Sequence, residues 1–194
     1  MHLKINQYSG SFFITSDLHM YHKNIIKYAN RPFKDSDEMN HHLITNWNSV
    51  VSPDDYVFNL GDFSFANYDK TVAVLSQLNG TQFFVYGNHD KIMRSDKVVR
   101  YCRQTGKIKT FSDVITTNYK GQALFMSHYS HRVWDRAHHG AIHFYGHSHG
   151  GLPGIGRSMD VGVDSSDMPS NFTPFRLSEV IEHMLTREPT AHHS

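Results

Sequence analysis

Short apolar runs alternate along this chain with amphipathic stretches, and most of the apolar runs end in a knot of polar residues. Phe12-Phe13-Ile14-Thr15-Ser16, Tyr56-Val57-Phe58-Asn59-Leu60, Phe83-Phe84-Val85-Tyr86 and Ile142-His143-Phe144-Tyr145 are short and rich in β-formers, so they predict buried strands. Val114 to Asn118 and Gln122 to Met126, joined by Tyr119-Lys120-Gly121, predict a hairpin, and Ser158 to Val163 a further strand. Ile25 to Ala29 reads as a short helix that stops before Asn30-Arg31-Pro32, because proline disfavours α geometry in the residue before it. Asp35 and Glu38 have the spacing of a capping box, and the stripe Met39, Leu43, Trp47 makes the following helix face a core. After a turn at Ser52-Pro53-Asp54-Asp55, Tyr68 to Leu78 predicts a helix with Val72, Leu75 and Leu78 inward and Asn79-Gly80 as its cap. Signals between Lys91 and Lys109 are mixed apart from a helix at Lys97 to Gln104. Gly150 to Gly156 is a loop, Leu177 to Leu185 a helix capped by Ser178, and residues 186–194 a loose tail. One α/β domain spanning 1–194 accounts for the pattern.

Composition narrows the function classes. Hydrophobic residues at 39% and charged residues at 19% give a soluble globular balance over 194 residues, and a net charge of +1 argues against a long nucleic-acid partner. With Cys102 alone, no internal disulfide and no cysteine-based zinc site can form. No run has the length of a membrane span and the amino terminus lacks a signal-peptide core, so a cytoplasmic location and no membrane partner are expected. Histidine is the outlier at sixteen residues. His41, His42, His183, His192 and His193 read as surface; the others need a reason.

That reason lies at the strand ends. Five predicted strands run into Asp17-Leu18-His19, Gly61-Asp62, Gly87-Asn88-His89-Asp90, Ser127-His128 and Gly146-His147-Ser148-His149. Alternation should turn Asp17 and His19 to one side, where both could chelate one ion. In open α/β sheets functional groups collect beyond the carboxyl ends of strands, which would bring the five blocks together. The donors are carboxylate, imidazole and amide, a set that suits Mn²⁺, Fe, Zn²⁺ or a similar first-row ion. Their number exceeds one tetrahedral site and divides between two ions sharing a carboxylate, an arrangement suited to phosphate-ester hydrolysis.

The ordered blocks D-x-H, G-D, G-N-H-D, H and G-H-x-H, over about residues 12 to 164, resemble the calcineurin-like metallophosphoesterase family in its small bacterial and phage form. The resemblance implies a four-layer αββα sandwich of two mixed β-sheets flanked by helices. It places Asp17, His19, Asp62 and His149 on one metal and Asp62, Asn88, His128 and His147 on the other, with Asp62 bridging. It makes His89 the catalytic histidine that assists the leaving oxygen, with Asp90 either orienting His89 or capping the next segment. The expected activity is a dinuclear metal-dependent hydrolase, with two divalent ions, Mn²⁺ foremost and Fe, Zn²⁺ or Ni²⁺ as alternatives. A metal-bridging hydroxide would cleave a phosphomonoester or phosphodiester of a small molecule or nucleotide. The alternatives are a non-catalytic metal-binding scaffold of the same fold, or a metal store. Phe63-Ser64-Phe65-Ala66 after the G-D block departs from the aspartate and arginine of the protein phosphatases, which argues against a phosphoprotein substrate. His22, Arg31 and Arg132 are candidates for holding substrate, with Asn24, His131 and Arg157 beside them. Trp134 and Tyr145 are expected to pack and Cys102 to be inert. Oligomeric state is left open.

Overall fold

Strands form where the apolar runs lie, because nearly every position in them finds a buried face. A computed structural model of the chain describes residues 1–165 and 167–189. Its strands are β1 (His2–Leu3), β2 (Phe12–Thr15), β3 (Tyr56–Asn59), β4 (Thr81–Val85), β5 (Ile108–Ser112), β6 (Val114–Tyr119), β7 (Gln122–Ser127), β8 (Ile142–Tyr145), β9 (Ser158–Asp160) and β10 (Phe175–Arg176). The helices are α1 (Ile25–Tyr28), α2 (Ser36–Val50), α3 (Tyr68–Gln77), α4 (Asp96–Thr105) and α5 (Leu177–Leu185), with a 3-10 turn at Ala137–His139. No helix among the described residues is long and apolar enough to cross a membrane.

Two mixed five-stranded sheets result, ordered β1-β6-β7-β8-β9 and β10-β2-β3-β4-β5. The β6–β7 hairpin and the β10–β2 pair are antiparallel; all other pairs are parallel. Phe12, Ile14, Phe58, Leu60, Phe83 and Val85 of one sheet pack on Ile115, Leu124, Met126, Ile142, Phe144 and Met159 of the other. The alternate residues Phe13, Val57 and Phe84 face the opposite way, onto Met39, Leu43 and Trp47 of α2 and Val74 and Leu75 of α3. Strands buried on both faces read as continuous apolar runs, which is why these were legible. The outer face of the first sheet is covered by Trp134, Ala137 and Ala141, while α5 closes the space between the sheets with Leu177, Val180, Ile181 and Met184. At about 1.5–3 kcal/mol for each large apolar side chain removed from water, these layers supply most of the driving force.

Several expectations are corrected by the structure. β1, β5 and β10 were not foreseen: two of them are two residues long, and β5 carries the exposed Lys109 that blurs its pattern. In α3 the inward set is Thr71, Val74, Leu75 and Leu78, while Val72 is half-buried, because Thr71 turns in to meet the Ser64 hydroxyl at 3.0 Å. Asp35 caps α2 through the N–H groups of Asp37 and Glu38, but Glu38 accepts from Lys34 N, one residue before the position a capping box requires. Helix α3 ends at Gln77, followed by Leu78 in extended geometry and, beyond it, Gly80 in left-handed geometry (φ +77°). The strand expected to reach Val163 ends at Asp160, and α5 follows β10 directly, so Ser178 lies inside the helix instead of capping it. Within the expected tail, Arg187 is anchored: its carbonyl accepts from Arg157 Nε at 2.9 Å and its guanidinium lies 3.6 Å from Asp167. Residues 190–194, with His192 and His193, lie outside the described residues.

His143 is buried in β8, outside the strand-end blocks. Its Nε2 accepts from His131 N at 3.0 Å, so Nδ1 carries the proton and faces Phe125 O at 3.2 Å. Burial pushes its pKa down to about 3, so below the ordinary histidine value of 6.5 the unfolded chain takes up a proton that the folded chain refuses. Its contribution to stability is therefore complete above pH 6.5 and is lost as pH falls towards 3. Denaturant titrations from pH 7 to 4 should show His143→Gln losing less stability on acidification than the parent, with about one proton fewer bound on unfolding.

Candidate metal centre

β2, β3 and β4 are parallel in one sheet and β7 and β8 in the other, so each group presents its carboxyl ends at one edge. The edges are stitched together by the bridge between Ser16 and Gly162 and by Val163 N–H donating to Ser16 O at 3.1 Å. At this seam the backbone leaves strand geometry. Asp17 (φ 60°), His19 (φ 52°), Asp62 (φ 53°), His147 (φ 68°) and His149 (φ 46°) all occupy the left-handed region. Non-glycine residues are uncommon there, and a cluster of them marks a site whose surroundings over-determine the backbone. It also corrects the expected strand alternation at Asp17-Leu18-His19: a turn, not a pleat, aims these side chains. Glycine is needed where backbones crowd the carboxylates, since a Cβ on Gly87 would collide with Asp62 Oδ1 and one on Gly146 with Asp17 Oδ2.

The donors fall into two groups. Asp17, His19 and His149 form one, and Asp62, His128 and His147 the other, with the ligand atoms of each lying within 4.8 Å of one another. Asp62 joins them, for its Oδ2 lies 3.6 Å from His19 Nε2 and 3.5 Å from His128 Nε2. Asn88 Oδ1 meets His128 Nε2 at 3.0 Å. Surrounding groups fix the rings. His128 Nδ1 donates to Leu60 O at 2.8 Å, and His149 Nδ1 donates to Asp164 Oδ2 at 2.7 Å, which leaves both Nε2 atoms for the cluster.

The donor set fits cations. Asp17 Oδ1 and both ring nitrogens of His19 are buried without a hydrogen-bond partner, a state costly enough to need an explanation. A divalent ion bound by Asp17 Oδ1 and His19 Nε2 answers two of the three.

No protein-family model matches the chain. A 91-residue stretch is 45% identical to an uncharacterised protein of Methanocaldococcus jannaschii, covering 46% of this chain and 52% of that one. The chain thus spans about half the length of the curated relative it matches. A protein of unknown function from Aquifex aeolicus superposes over 90% of this chain and 100% of its own, with a TM-score of 0.66 and 21% identity. An archaeal phosphodiesterase matches at a TM-score of 0.48 and 20% identity over 80% of this chain and 84% of its own, a likeness too slight to bear on the reaction. Two mixed sheets packed face to face, with all five ligand blocks at the seam where their strand ends meet, decide the architecture. The chain folds as two mixed five-stranded β-sheets flanked by helices, and shares that fold with the Aquifex aeolicus protein.

Within this fold, burial sets the charges. It pushes Asp17 up to about 7 and His19 down to about 2, because leaving water penalises the charged form of each. Burial also opposes the charged forms of Asp62 and His128, but the hydrogen bond and attraction between them win, holding Asp62 down at about 2 and His128 up at about 9.

The other expected site residues separate. His89 is exposed, and its backbone N–H donates to Asp62 Oδ1 at 2.8 Å. Asp90 is corrected: its carboxylate neither orients the His89 ring nor caps the next segment. It accepts from Asp62 N at 2.8 Å, Phe63 N at 2.9 Å and Gly87 N at 2.7 Å, tying the β3 and β4 loops together. Arg31 is corrected too. It is 4% exposed, and its fork is spent on both oxygens of Asp164 and on the carbonyls of Leu18 and Asp17, leaving no face for phosphate. Arg157 Nε is likewise occupied, by Arg187 O. His22 lies beside the centre, its ring 5.4 Å from that of His19 and stacked on Phe65 at 3.8 Å. Arg132 and Asn24 are exposed, and His131 half-buried. Trp134 and Tyr145 are packed and Cys102 is buried, its thiol pushed up to about 12. Sequence reasoning missed Asp160, Asp164, Phe65 and Tyr129. The two acids sit in and just beyond β9, where a carboxylate pair near a glycine was the available signal.

Two outcomes follow from this geometry. Asp90→Asn removes the acceptor for at least one buried N–H, so denaturant unfolding should show a loss of about 1–3 kcal/mol for each donor left unpaired. Metal uptake must strip a proton from His128, so calorimetry in buffers of different ionisation enthalpy should detect proton release, with affinity rising as pH climbs towards about 9.

Proposed function

We propose that the chain is a dinuclear metal-dependent phosphoesterase acting on a small phosphate ester or nucleotide. The observation that carries this reading is the position of Asp62 Oδ2, 3.6 Å from a histidine of one donor group and 3.5 Å from a histidine of the other. A carboxylate placed in this way could serve both donor groups. Asp17, His19 and His149 would hold the first, and Asn88, His128 and His147 the second, with Asp62 common to both. Mn²⁺ is the favoured metal on this oxygen and nitrogen set, with Fe, Zn²⁺ and Ni²⁺ as alternatives. Two divalent ions there would supply Lewis-acid polarisation of the phosphoryl oxygens and water of lowered pKa.

The protein's own contribution is positioning and one proton. Asp164 and Leu60 O hold the His149 and His128 rings in the tautomer that presents Nε2. Asp62 Oδ1 accepts the His89 N–H and so ties the catalytic loop to the shared carboxylate. Among the described residues no side chain hydrogen-bonds the exposed His89 ring, which leaves it able to hand a proton to a departing oxygen.

The test is a panel of phosphomonoesters, phosphodiesters and cyclic nucleotides, each with Mn²⁺, Zn²⁺, Ni²⁺ and Mg²⁺. Asp62→Asn should lose bound metal and turnover together. His89→Ala should keep two equivalents of metal by elemental analysis while kcat falls about 10²–10⁴-fold. Two metals bound with no turnover anywhere in the panel would replace the hydrolase with a non-catalytic metal-binding scaffold.

A further inference from the structure

The donor cluster has aromatic surface on two sides. On the His19 side, Phe65 is 40% exposed, stacks on His22 at 3.8 Å and 13°, and lies 4.9 Å from the His89 ring. On the His128 side, Tyr129 is 50% exposed and packs edge-on against His147 at 4.7 Å and His128 at 5.2 Å. From Asn88 and His128 a cleft of about 320 Å³ runs past Tyr129 and Tyr86 to Arg94 and Asp113. That size lies at the lower end of small-molecule sites, which run from about 300 to 1,000 Å³.

The chemistry of the cleft narrows its occupant. Tyr86 is stacked with Phe111 at 5.5 Å and also carries Arg94, whose guanidinium carbon is 4.0 Å from the ring centre. The exposed planar groups lining the cleft are the Arg94 guanidinium and the Tyr129 ring. Arg94 is also 2.8 Å from Asp113, so its charge is balanced and the outer end of the cleft is a poor site for a second phosphate. Planar surfaces with hydrogen-bonding edges and little net charge suit a nucleobase, which stacks on aromatic rings and guanidinium planes alike.

We propose that this cleft is the subsite for the nucleoside arm of a phosphodiester whose other arm departs past His89 along the Phe65–His22 wall. The proposal rests on the hydrolase reading above and selects diesters within it, because a monoester has one organic arm and leaves one of the two aromatic surfaces without a partner. In the reaction the oxygen of water bonds to phosphorus as the P–O bond to the arm beside His89 breaks. One proton ends on the departing alcohol by way of His89; the other goes to solvent or stays on the nucleoside monophosphate held in the cleft.

Two substrates with the same leaving group isolate the second arm: thymidine 5′-(4-nitrophenyl) phosphate and 4-nitrophenyl phosphate. The metal-loaded protein should favour the diester in kcat/KM by about tenfold or more, and Tyr129→Ala and Arg94→Ala, both at exposed positions, should each cut that ratio about tenfold through KM. Saturation-transfer NMR with thymidine on the Zn²⁺-loaded protein gives a readout without turnover, with signal expected for the parent and lost in both variants. Equal or better use of the monoester, a ratio unmoved by both variants, or no thymidine signal would each overturn the subsite. If neither ester is cleaved, the hydrolase reading falls and the thymidine measurement alone decides the cleft.

Discussion

Burying two carboxylates side by side is the constraint on which this structure depends. Asp17 is fully buried, and Asp62 is 1% exposed. In a protein interior such a pair is tolerable only if backbone donors and neighbouring imidazoles are aimed at it, and the loops around the seam do this. His147 N–H meets Asp17 Oδ2 at 2.8 Å and His89 N–H meets Asp62 Oδ1 at 2.8 Å, so each carboxylate is pinned by the loop that also brings a histidine to the seam. The remaining oxygens, Asp17 Oδ1 and Asp62 Oδ2, face the histidine nitrogens.

Around these two acids stands a ring of further carboxylates whose work is to hold backbone. Asp90 gathers three N–H groups from the β3 and β4 loops. Asp160 gathers those of Gly150 and Gly162, and Asp164 links His149 to the Arg31 fork. Arg31 in turn donates to the carbonyls of Asp17 and Leu18. The left-handed residues at the seam are strained in isolation, and this network of charge-assisted hydrogen bonds is what offsets the strain. Such rigidity suits a donor set that could hold metal ions, since donor atoms that drift by about an ångström would lose a metal geometry.

The aromatic side chains near the centre divide by the same logic. Tyr145, Phe144 and Trp47 have two covered faces and serve packing. Phe65 and Tyr129 sit on loops beyond the strand ends, each with one flank against the site histidines and the other exposed. Loops of this kind, carried by a rigid double sheet, can vary in sequence while the donor cluster stays constant.

Sequence alone determined what depends on residue type and short spacing. The strands buried on both faces, the Met39, Leu43, Trp47 stripe and the order of the five ligand blocks were legible because apolar continuity and i, i+4 periodicity are local properties. Only the tertiary structure decided what depends on atoms brought together from distant segments. Asp90 is three residues from Gly87 in the chain, yet two of its three partners, Asp62 and Phe63, lie more than twenty residues away. Arg31 read as a phosphate grip because a loop arginine shows no partner in sequence; its carboxylate, Asp164, is 133 residues distant. The same holds for β1 and β10, two-residue strands that exist only because β6 and β2 offer them edges. Residue type announces the chemistry available at a strand end, but whether a polar group faces a metal, a substrate or its own backbone is settled by which other segment arrives beside it.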